Sequence, residues 1–72
     1  MMVLEFSAPQ GPWKTVIATQ GDSKVAVIRK IPHQGFQVTM ENGVRWQGQF
    51  GETNVAFLPS LSEAKKFVMK EA

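Results

Sequence analysis

Between Trp13 and Leu58 the chain alternates apolar and polar residues in short runs, and after Ser60 the apolar spacing lengthens to that of a helix. Alternation with period two marks a strand and a period near 3.6 marks a helix. Trp13 to Thr19, rich in β-branched residues, predicts a first strand, and Gln20-Gly21-Asp22-Ser23 a turn. Lys24 to Ile31 predicts a second strand. Val25, Val27 and Ile31 fall on one side of it, Ala26 and Ile28 on the other. A strand apolar on both sides belongs in the centre of a sheet. Pro32-His33-Gln34-Gly35 ends it. Phe36 to Met40 and Val44 to Phe50 are the next two alternating runs. Gly51 to Asn54 reads as a turn, Val55 to Leu58 as a short fifth strand, and Met2 to Phe6 as a further N-terminal one.

The C-terminal segment opens with Ser60-Leu61-Ser62-Glu63, the S-x-x-E pattern of a capping box, with Ser60 as the N-cap. Leu61, Ala64, Phe67 and Val68 share one helical face, leaving Lys65, Lys66 and Lys70 outside. So short a helix needs a docking surface, and Phe67 is expected against Trp46 or its neighbours. The predicted fold is α+β: an antiparallel β-meander of four to five strands with one C-terminal α-helix packed on one face. Residues 1–72 form a single small domain, with an extended segment over 1–12, the sheet over 13–58 and the helix over 60–71.

Asn42-Gly43 between two alternating runs is a strong hairpin signal. A two-residue loop would set Met40 opposite Arg45 and mix the apolar set with Arg45, Gln47 and Gln49 on one face. A three-residue loop, Glu41-Asn42-Gly43, pairs Met40 with Val44 and Val38 with Trp46, with Gly43 at positive φ as in a G1 bulge. That register collects Phe36, Val38, Met40, Val44, Trp46 and Phe50 under the helix. The opposite face then carries Gln37, Thr39, Arg45, Gln47 and Gln49, all polar and none acidic.

Arg and Gln side chains make paired hydrogen bonds to base edges, so this face is the candidate nucleic-acid contact, with Lys65, Lys66 and Lys70 as phosphate neighbours. The same residues are also ordinary for the solvated side of an antiparallel sheet. Trp13, after Pro12 and in a run that alternates poorly, is the candidate protein-interaction anchor, alongside an exposed strand edge.

Composition adds mostly exclusions. Seventy-two residues bury a marginal core, and the chain has no cysteine for a disulfide or a thiolate metal site. Eight Lys and Arg against six Asp and Glu give a formal charge of +2, which permits nucleic acid without arguing for it. His33 is the single histidine and lacks local ligand partners, so it reads as a solvated loop residue. Ser60 and Ser62 are helix-start residues, the glycines form no phosphate loop, and the six acids are dispersed. The expectation is a protein that is no enzyme, with no catalytic residues, metal or cofactor. No secretory signal or membrane-length stretch is recognised, so the expected state is soluble and cytoplasmic, with no membrane partner and with homodimerisation as a means of stabilising a small core. Solitary domains so poor in chemistry suggest accessory proteins of phage or mobile elements.

Trp46-Gln47-Gly48-Gln49-Phe50 followed by Ser60-Leu61-Ser62-Glu63-Ala64 resembles the end of the plant ethylene-response-factor DNA-binding domain. There a strand of W-x-G-x-F form leads into a helix beginning T-x-E-x-A, and the resemblance implies a three-stranded sheet entering the major groove. Here nine residues, Gly51 to Pro59, intervene, and Trp13 to Ile31 lacks the family's arginine-rich strands. The likeness is taken as convergent sheet-to-helix punctuation, and no contact residue is carried over. The functional expectation is a small non-catalytic binding module whose partner is nucleic acid, or alternatively a protein.

Overall fold

The computed structural model describes residues 4–41 and 43–71. In chain order the elements are β1 (Glu5–Phe6), β2 (Val16–Gln20), β3 (Ser23–Ile31), β4 (Gly35–Met40), β5 (Trp46–Gly48), β6 (Gly51–Thr53), β7 (Val55–Leu58) and α1 (Leu61–Glu71). Five strands form an antiparallel sheet in the order β1-β2-β3-β4-β7, while β5 and β6 pair only with each other. The helix covers one face of the larger sheet, and the shortest extent of the molecule, 16 Å, is that of two layers. This is the expected α+β plan. Met2, Val3 and Asn42, to which the sequence assigned strand and turn roles, lie outside the described residues.

Register explains the core. Val16 opposes Ile28, Ile28 opposes Val38, and Ala26 opposes both Ala18 and Met40, so these side chains share one face. All six are fully buried, joined by Ala64 and Val68 of the helix. Between Ala18 and Thr19 the pairing shifts so that Ala18 meets Ala26 and Thr19 meets Lys24. Val25 is the extra residue of this bulge and turns inward to join the same cluster, although strict alternation put it with Val27 and Ile31.

The helix begins as its sequence requires: the Glu63 amide donates to Ser60 Oγ at 3.2 Å and the Ala64 amide to the Ser60 carbonyl at 2.9 Å. The Phe67 ring meets Trp46 edge-on, with centroids 5.1 Å apart and planes at 79°. Lys65 lies over the Phe6 ring, 5.4 Å from its centroid, and is partly covered, while Lys66 and Lys70 are exposed.

The central hairpin departs from expectation. Gly43 does take positive φ, at 85°. However, Met40 is not opposed to Val44, because β4 pairs with β7: Phe36 with Leu58, Gln37 with Phe57, Val38 with Ala56 and Thr39 with Val55. Asn54 closes that pairing. Its carbonyl accepts from the Met40 amide at 2.8 Å, and its side-chain amide donates to the Met40 carbonyl at 2.7 Å. The segment between Met40 and Asn54 leaves the sheet and folds on itself, with Trp46 opposite Thr53 and Gln47 opposite Glu52. The two-residue hairpin loop is therefore Gln49-Phe50, bracketed by Gly48 and Gly51. Gly51 to Pro59, read as a turn and one strand, holds β6, a turn and β7.

Candidate functional site

The register of the main sheet also fixes the face that the helix leaves open. One row across it runs Ile17, Val27, Thr39, Val55 and the next Arg29, Gln37, Phe57. Beyond Arg29, Trp13 sits near Ile31 and Gln37 and helps to line a shallow depression with them. Ile17 is 37% exposed, while Trp13 and Phe57 are each 49% exposed. Antiparallel sheets commonly turn a polar face to water. Here the uncovered face carries two aromatics and four aliphatic side chains, Ile17, Val27, Ile31 and Val55, beside Arg29, Gln37 and Thr39.

Trp13 is placed by a tight turn outside the strand that the sequence assigned to it. Gln10 and Thr15 exchange backbone hydrogen bonds at 3.1 and 2.8 Å, leaving Gly11-Pro12-Trp13-Lys14 as the loop. Gly11 has φ 74° and Lys14 φ 49°, the latter a left-handed conformation that a lysine adopts at a cost of about 1 kcal/mol. The Lys30 amide donates to the Trp13 carbonyl at 2.7 Å and ties the loop to β3. Pro12, Trp13 and Pro32 form the apolar walls of a cleft of about 360 Å³, with Lys14 and Lys30 also lining it.

A second concavity, of about 490 Å³, lies between the β5–β6 hairpin and β7, with Trp46, Phe50, Val55 and Phe57 among its walls. Phe50 stands at the hairpin tip and is 96% exposed. It was expected in the core with Trp46, and the reason it is not is the changed pairing of β4. Sequence reasoning also passed over Lys14, Ile17, Arg29, Lys30 and Phe57. Gly48 and Gly51, bracketing two residues, were the available signal for the Phe50 turn.

The candidate nucleic-acid residues come from three elements, and Gln47 and Gln49 line the second concavity together with Val55 and Phe57, the cross-strand partners of Thr39 and Gln37. Gln37 and Thr39 lie on the open face, but Arg45, Gln47 and Gln49 belong to the separate hairpin segment. Lys65, Lys66 and Lys70 are on the helix, which packs against the opposite face of the sheet, and Lys66 is 4.0 Å from Glu63. Trp13 is exposed and outside the core cluster, as are Arg45, Gln47, Gln49, Lys66 and Lys70. His33 is exposed in its turn at φ 66°. Among the described residues no three His, Cys, Asp or Glu side chains are grouped to hold a metal, and no helix is long and apolar enough to cross a membrane.

No family model, curated protein or solved structure matches this chain.

Proposed function

We propose that this chain is a small non-catalytic protein-interaction module that binds through its helix-free sheet face. The observation that carries the reading is the exposure of Trp13, Ile17 and Phe57 on one face, with Phe50 exposed on the adjoining hairpin. Scattered single apolar residues are normal on a protein surface, but several large ones on one face, around Arg29 and Gln37, support an interaction site. Tryptophan and arginine, both present here, dominate the energetics of protein interfaces. The face rather than an edge is the favoured surface, because the edge strands β1 and β7 have only two and four residues.

A second reading keeps nucleic acid as the partner, moved to a different set of residues. Arg29 and Gln37 lie between Trp13 and Phe57, and aromatic platforms flanking a cation suit single-stranded bases. One experiment separates the two. The chain and its Trp13→Ala/Phe57→Ser double variant are used as bait for cellular protein, and both are titrated with labelled single- and double-stranded oligonucleotides at two salt concentrations. The protein reading expects partners retained only by the parent chain and no salt-dependent oligonucleotide binding. Equal recovery by both baits would overturn it, and salt-dependent oligonucleotide binding lost in the double variant would establish the second reading in its place.

A further inference from the structure

We infer that the protein partner is a second copy of this chain, docked head to tail: the Phe50–Glu52 hairpin tip of one copy seats in the Pro12–Trp13–Pro32 cleft of the next. This rests on the protein-interaction reading and names its partner.

The hairpin tip has the form of a knob. Gly51, at φ 114°, supplies the unusual backbone conformation of the turn, so nothing in the turn geometry calls for an aromatic at Phe50. Its ring is nonetheless almost wholly in water, and an aromatic side chain removes roughly 150–250 Å² from solvent when it is buried. The cleft has the form of a socket. Two prolines and the Trp13 indole give it rigid apolar walls, and its volume of about 360 Å³ leaves room for a phenyl ring.

Charge complements shape. Glu52, two residues from Phe50, is exposed, and Lys14 and Lys30 line the cleft, also exposed. The ion pairs among the described residues are Lys24–Glu41 and Glu63–Lys66, so Glu52, Lys14 and Lys30 remain available for pairing between molecules.

Knob and socket belong to different parts of the sheet and line different concavities. Trp13 is tied to the β3 end, where Ile31 faces Gly35, on the β2 side of the sheet. The hairpin leaves β4 at Met40, the other end, and rejoins the sheet at β7, the far edge. A contact between two different patches is heterologous, so copies add in a line or close into a ring. Such association also suits a chain whose isolated core is marginal.

The test is sedimentation velocity of the purified chain from about 10 μM to 1 mM, a range that brackets weak assembly. The average mass is expected to rise with concentration and to rise less at high salt, which screens exposed charge pairs. Phe50→Ser and Trp13→Ala should each be folded by circular dichroism and each be monomeric, with association weakened at least roughly tenfold, as for loss of an interface anchor. Mixed together they should form a closed 1:1 dimer, because one retains the socket and the other the knob. Glu52→Lys should likewise associate only when mixed with Lys14→Glu/Lys30→Glu. A monomeric parent chain at every concentration overturns the inference, as does a folded Phe50→Ser/Trp13→Ala mixture that stays monomeric. A monomeric parent that still retains other proteins through Trp13 and Phe57 overturns the second copy alone. A monomeric parent that retains none removes the module reading as well.

Discussion

Val27 and Ile28 are neighbours in β3, and they point to opposite sides of the same sheet. Ile28 lies beneath the helix between Val16 and Val38 with no exposure, packed as a core residue is packed. Val27, on the face away from the helix, is still just 6% exposed, while Ile17 beside it and Phe57 in the next row are exposed. One eleven-residue helix covers a single face of a five-stranded sheet. The strands are nevertheless apolar on both faces. The difference teaches that the covered face accounts for the core, and that the apolar residues of the open face are not explained by helix packing.

Breaking the covered face should have the largest effect. Ile28→Ala is expected to cost ~2–5 kcal/mol, enough to unfold much of so small a domain, whereas Ile17→Ala on the other face should cost less than ~1 kcal/mol. Urea titration of both variants checks this, and equal midpoints would erase the distinction between the faces. Next comes the helix contact. Phe67→Ala should cost ~3 kcal/mol and shift Trp46 emission to longer wavelength as the indole gains water.

Gly35→Ala probes the pairing that sets both faces. A Cβ there would meet the Leu58 carbonyl oxygen at 2.5 Å, with φ at 93°. The variant should lose ~2 kcal/mol through steric overlap and left-handed strain, and amide exchange should quicken first in β4 and β7. Ser60→Ala should cost ~1 kcal/mol by removing the acceptor for the Glu63 amide, read as a small drop in the urea midpoint. The smallest stability change is expected on the open face. Phe57→Ser should move the midpoint by no more than ~0.5 kcal/mol, and loss of folding in that variant would mean that the open face is core after all.

Local signals were legible where the residues that decide an element are also those that form it. The apolar series of β3, the Ser60-to-Glu63 cap and the helix spacing all lie within a few residues, and each element appears where its pattern predicts. The exposure of Trp13 was only partly readable, because Pro12 and poor alternation loosened its assignment to the core without excluding it. Val25 was misplaced because a bulge is a property of two strands, and Phe50 because its burial depended on which strand adjoined β4. The open-face site could not be assembled from the sequence for the same reason: Arg29, Gln37 and Phe57 come together only through the β3–β4–β7 order.

The sequence by itself determined the fold class, the central place of β3, the positive φ of Gly43 and the capped helix. It pointed to residues 44–50 as the partner of β4, but residues 55–58 offer the same backbone groups. The tertiary structure decided between them. Pairing with β7 lets Asn54 satisfy both backbone groups of Met40, and the helix that follows β7 after Pro59 and Ser60 can then fold back over Ile28, Val38 and Met40. Strand hydrogen bonds carry no identity of their own, so side-chain packing across the finished sheet selects the partner, and with it which aromatics are left facing water.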